Sequence, residues 1–139
     1  MNFQFSNIHW KRVLLAGMGI TLLTTVLIFL VIGMYAMALA VQAQGAPDDA
    51  KIEAFANQIG QWGTPVIALL LTVALATWVA RKTEAAARLN SIFVGLIAAI
   101  TGLIVGVLLG GALDWLAVTV FVLTLAASWL GGILGERRQ

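Results

Sequence analysis

Ile92 to Leu113 reads IFVGLIAAITGLIVGVLLGGAL, 22 consecutive residues with no charge. A helix of about 20 apolar residues crosses a bilayer, and no water inside the bilayer could satisfy an irregular backbone. The stretch therefore admits one conformation in that setting, an α-helix. Ala98, Gly102, Gly106 and Gly110 recur four residues apart along it. That spacing puts them on one face, where bare backbone lets a second helix come close. The expectation is a central helix with a neighbour packed on its glycine ladder.

Three further apolar runs flank it. Val13 to about Val41 carries no charge and, as a helix, extends about 43 Å against a hydrocarbon core of about 30 Å. It should tilt or project. The run is too long for the apolar core of a cleaved signal, which spans about 7–15 residues, so it reads as an uncleaved signal-anchor helix. Thr64-Pro65 opens the next run, residues 64–80, with threonine as cap and proline at the first helical position. Ala68, Thr72 and Ala76 form a small-residue row on it. The last run, 115–134, follows Asp114 as N-cap and carries Ala127, Gly131 and Gly135 four apart.

Between the first two runs, residues 48–62 hold Ile52, Phe55, Ile59 and Trp62 at helical spacing, with Lys51, Glu53, Asn57, Gln58 and Gln61 opposite. The pattern predicts a short amphipathic helix on the membrane surface or capping the bundle. Asp48 and Asp49 suit its N-terminus. Residues 81–91 form a basic connector in which Glu84 and Arg88 can pair at i, i+4. The fold expected is all-α: an integral membrane four-helix bundle in one domain, with the amphipathic helix on the extracytoplasmic side.

Charge sets the orientation. Lys11, Arg12, Arg81, Lys82, Arg88, Arg137 and Arg138 fall at one end of the four runs, and only Lys51 at the other. The positive-inside rule then places both termini in the cytoplasm. Trp10, Trp78 and Trp129 mark the inner ends and Trp62 and Trp115 the outer ends, as interfacial anchors do.

Chemistry is harder to find. The spans contain no Asp, Glu, Lys, Arg or His, the groups that proton-coupled transporters need at depth. Cysteine is absent, which removes disulfides and thiolate chemistry. His9 stands alone at the membrane surface and reads as an interfacial residue rather than a haem or pigment ligand. Asp48, Asp49, Glu53 and Asp114 could gather around a cation, but caps explain Asp48 and Asp114 more simply. No catalytic set, cofactor, metal site or nucleic-acid surface is expected.

A long first helix, a loop, a basic connector and the ending Trp129-Leu130-Gly131-Gly132-Ile133-Leu134-Gly135 resemble the small four-span bacterial membrane proteins of unknown function. The resemblance implies a bacterial inner-membrane location and supplies no activity. The function expected is that of a non-enzymatic membrane protein acting through helix–helix and lipid contacts. Its partners would be lipids, other membrane subunits as an accessory or assembly factor, or further copies of itself. The rivals are an oligomeric small-solute channel or transporter and a pigment-associated subunit. The topology is open to a direct test. Single cysteines at Ala50 and Arg138 should label oppositely with an impermeant thiol reagent on intact cells, Ala50→Cys reacting and Arg138→Cys protected.

Overall fold

The computed structural model describes residues 8–83 and 86–137. Glu84 of the expected i, i+4 pair and Arg138 of the basic set lie outside the described residues. Five α-helices account for the rest: α1 (Trp10–Ala43), α2 (Asp49–Gln58), α3 (Thr64–Arg81), α4 (Ala87–Leu108) and α5 (Trp115–Glu136). Four stretches are long and apolar enough to cross a membrane: α1, the continuous run Asp49–Arg81, α4 and α5.

That continuous run corrects the reading of residues 48–64. No break separates an amphipathic helix from a second span. A π-helical turn, Ile59–Gly63, joins α2 to α3, and the Thr64 amide donates to the Ile59 carbonyl five residues back. The cause is Pro65. It has no N–H, and its ring excludes the carbonyl four residues before it. Widening the ladder by one residue accommodates both effects, so the helix continues instead of stopping. Thr64 is thus inside a helix rather than capping one, and its Oγ1 donates to the Ile59 carbonyl at 3.4 Å.

The joined helix has 33 residues and α1 has 34, each about 50 Å long. Helices α4 and α5 have 22 residues each, about 33 Å. The long pair therefore extends well past the short pair. There Tyr35 of α1 stacks on Phe55 of α2 at 4.1 Å between ring centres. A stacked aromatic pair suits a segment with few other contacts.

The long helices form a four-cornered bundle. Helices α3 and α4 touch each other and both remaining spans, while α1 and α5 stay apart among the described residues. Side chains tie one end together. Arg12 Nη1 donates to the Lys82 carbonyl, the His9 amide donates to Asn90 Oδ1 at 2.9 Å, and Arg88 pairs with Glu136 at 2.7 Å. We call this the basic end and the opposite one, carrying Asp48, Asp49 and Asp114, the acidic end.

Helix α4 begins at Ala87 and ends at Leu108, five residues earlier at each end than residues 92–113. The stop is local. Gly110 adopts φ 86°, its amide bonds to the Val107 carbonyl at 3.0 Å, and the Gly111 amide bonds to Gly106 at 2.8 Å. This pair of bonds is a Schellman cap, whose left-handed residue favours glycine. Gly110 therefore belongs to the turn and not to a helix-packing face.

The other glycines divide by position. A Cβ on Gly131 would stand 2.8 Å from Ala76 Cβ, and one on Gly17 would stand 2.7 Å from Ile97 Cβ. Gly135 would collide with Ala80 and Gly95 with Ser128. These four allow α5 onto α3, α1 onto α4, and α4 onto α5. At Gly102 and Gly106 a Cβ would meet nothing within 4 Å. The neighbour expected on the α4 ladder is missing at these two positions, whereas Ala98, one turn earlier, is buried in the core. Gly135→Ile should therefore lower the thermal aggregation midpoint in detergent, at an overpacking cost of about 1–3 kcal/mol. Gly106→Ile should stay within about 0.5 kcal/mol of the parent.

Candidate functional site

The basic half is closed by side chains of modest size. Val13, Val79, Val94 and Thr72 are fully buried, with Ala76, Ala80 and Ala16 between them. Small residues on every helix bring the backbones near enough for valines to fill the centre. Three further polar residues sit in this half without any exposure, Asn90, Ser91 and Ser128. Ser91 Oγ donates toward the Ala76 carbonyl of α3 at 3.0 Å and the Ala87 carbonyl of its own helix at 3.1 Å. Asn90 Nδ2 donates to Ala86 at 3.0 Å, leaving Oδ1 for the His9 amide. In sequence Asn90 and Ser91 both read as connector, because their polarity masks the true start of α4. Their helical spacing with Val94, Gly95 and Ala98 was the available signal.

The acidic half is open. A cleft of about 650 Å³ lies between α1, α3, α4 and α5. Its floor is made by Ile20, Thr24, Thr72, Ala98, Ala99 and Thr124. Gly102 and Gly106 form part of its α4 wall, and Gln61 and Asp114 stand among its polar lining residues toward the acidic end. Asp114 is the one charged residue lining it among the described residues.

Hydroxyls in and beside the cleft are nearly all spoken for. Thr25 donates to the Thr21 carbonyl at 2.9 Å, Thr72 to Ala68 at 2.7 Å and Thr124 to Val120 at 2.8 Å. Thr21 and Thr101 meet across the α1–α4 contact at 2.7 Å. Thr24 differs. It is 5% exposed, and its Oγ1 is buried with no hydrogen-bond partner among the described residues. A buried hydroxyl left unpaired carries a desolvation cost of about 1–3 kcal/mol. Sequence alone does not distinguish Thr24 from its neighbours Thr21 and Thr25.

The remaining candidates fall as follows. Gly131 meets Ala76 and Gly135 meets Ala80 across α5 and α3, and Ala127 is buried. Ala68 and Ala98 line the cleft with Gly102 and Gly106. Trp10, Trp62, Trp78, Trp115 and Trp129 are all exposed, with Trp10 edge-on to Phe93 at 5.4 Å. His9 is exposed at the start of α1, and its backbone, not its ring, makes the contact to Asn90. Asp48 accepts from the amides of Ala50 and Lys51 at 3.1 and 3.4 Å, and Asp114 accepts from the Ala117 amide at 2.9 Å. Both are helix caps. The Lys51 amide, with help from the Lys51 ammonium and the Ala50 amide, holds the Asp48 carboxyl below its ordinary value. The cap on α2 is thus intact above the ordinary carboxylate range and is lost as pH falls through that lowered value.

Comparison with protein-family models, curated proteins and solved structures finds no match to this chain. The site must be read from its own geometry. It offers shape, apolar surface, bare backbone at Gly102 and Gly106, and the Asp114 carboxylate toward its acidic end. The role of Asp114 as a cap is testable. Asp114→Ala should cost about 0.5–2 kcal/mol of stability, measured by denaturation in detergent, while Asp114→Asn should be nearly silent.

Proposed function

We propose that the chain is a non-enzymatic, multi-pass protein of a bacterial inner membrane that works through helix and lipid contacts. In this reading it is an accessory or assembly subunit, with both termini in the cytoplasm and the cleft in the outer leaflet. The observation that carries it is the contrast between the two halves. The basic half seals itself with glycine, alanine and valine, whereas the acidic half leaves Gly102 and Gly106 without a neighbour. A surface built for contact and left uncovered suits a protein whose partner is another membrane component.

Other observations agree. Leu15, Met18, Leu22, Phe29, Met34 and Met37 along α1 are each more than half exposed, which water would penalise and hydrocarbon would accept. Basic residues cluster at one end of the bundle and Asp48, Asp49, Glu53 and Asp114 lie at the other, a distribution that suits the positive-inside rule. Among the described residues, the one charge lining the cleft is a helix cap. A solute path through the chain would have to cross the layer of Val13, Val79 and Val94, so the channel reading requires a route between copies.

The test is purification from native membranes in mild detergent, with reconstitution in parallel. The expected result is a stoichiometric membrane subunit or a larger species of the chain itself, with no solute flux in liposomes. A lone monomer that conducts ions or small solutes would overturn the proposal.

A further inference from the structure

Charge at the basic end is poorly matched. In sequence that end carries seven basic residues against two acids, Glu84 and Glu136. Arg88 takes Glu136 at 2.7 Å. The fold then brings like charges together. Arg12, near the start of α1, donates from Nη1 to the backbone carbonyl of Lys82, just past the end of α3. Lys11 and Arg81 stand next to them in the chain, and all four residues are exposed. None of the four pairs with a carboxylate among the described residues. Cations held this close repel one another unless an anion stands between them. We infer that the α1–α3 seam at the basic end is a binding site for the phosphate of an anionic phospholipid. This rests on the membrane reading above and names the class of lipid that the chain contacts.

The donors suit a phosphate. Arg12 presents five N–H donors in a planar fork, and the Lys82 carbonyl takes one of them, from Nη1. A guanidinium already anchored to a carbonyl loses less freedom when an anion arrives. The ammonium groups of Lys11 and Lys82 add point charges beside it, and neither is bonded to another described residue.

The surface beneath the cations calls for a hydrocarbon tail on that anion. Leu15 lies three residues from Arg12 and four from Lys11, on their side of the helix, and is 70% exposed. Trp78 lies four residues before Lys82 and is 42% exposed. One turn past Leu15, a Cβ on Gly19 would meet nothing within 4 Å. Four cations therefore stand directly above exposed leucine, tryptophan and open glycine backbone. A soluble anion would use the upper part alone. A phospholipid matches both, with its phosphate among the cations and an acyl chain along α1. Basic pockets between spanning helices on the cytoplasmic side hold anionic headgroups in this manner.

The experiment places the full chain in nanodiscs of phosphatidylcholine with a rising share of phosphatidylglycerol and counts retained lipid by native mass spectrometry. The expected result is saturable retention of phosphatidylglycerol in preference to phosphatidylcholine. Lys11→Gln and Lys82→Gln should each weaken it about five-fold, the worth of one cation near a lipid surface. Both side chains are exposed, and Lys82→Gln keeps the carbonyl that Arg12 uses, so the thermal midpoint should hold. Arg137→Gln removes the same charge from the end of α5, which has no contact with α1 among the described residues, and should leave retention unchanged. Glycerol phosphate, the headgroup without its chains, should fail to displace the retained lipid. Equal retention of the two lipids, equal effects of all three substitutions, or displacement by glycerol phosphate would overturn the inference. The accessory-subunit reading is measured separately by co-purification, so either can fail without the other.

Discussion

Close backbone approach at a handful of glycines holds this structure together. In lipid there is no hydrophobic effect between helices, so association depends on dispersion and on hydrogen bonds made at short range. Gly17, Gly95, Gly131 and Gly135 bring α1, α4, α5 and α3 near enough for both. The interhelical bonds follow from that nearness. Ser91 reaches the Ala76 carbonyl, and Thr21 meets Thr101, because no larger side chain holds the helices apart. The fully buried valines then fill a centre whose width the glycines have set.

The same constraint explains the open half. Where the glycines of one helix face a neighbour, the bundle closes. Where they face none, as at Gly102 and Gly106, the missing side chains become space. The long helices contribute as well. Helix α1 and the α2–α3 run continue together beyond the ends of α4 and α5, tied by Tyr35 and Phe55, and nothing from α5 follows α1. Tight packing at one end and divergence at the other yield a cleft closed at its floor by Thr24, Thr72 and Thr124.

Helix identity and the ends of the bundle were legible in the residues because both depend on local quantities. Charge-free runs of bilayer length are helical wherever they sit in lipid, and basic residues cluster by sequence position. The caps at Asp48 and Asp114 were legible for the same reason, since a cap is an interaction with amides two or three residues on. Boundaries were less so. Pro65 reads as a helix start, yet a π-helical turn absorbs it and the helix runs on. Asn90 and Ser91 read as connector, yet the fold buries them.

Which glycines touch a neighbour was decided by tertiary structure alone. Gly106 and Gly131 look alike in sequence, each four residues from another small residue on an apolar helix. One meets Ala76 and the other meets open space, because the distance between two helices belongs to the whole bundle and not to either sequence. Thr24 is the same lesson for a polar group. Thr24 and Thr25 are adjacent and chemically identical, yet one bonds to its own helix and the other is left buried and unpaired in the wall of a cleft. Periodicity and charge determined that four helices form and how they are grouped. Only their packing determined where the protein is closed, where it is open, and which hydroxyl remains free.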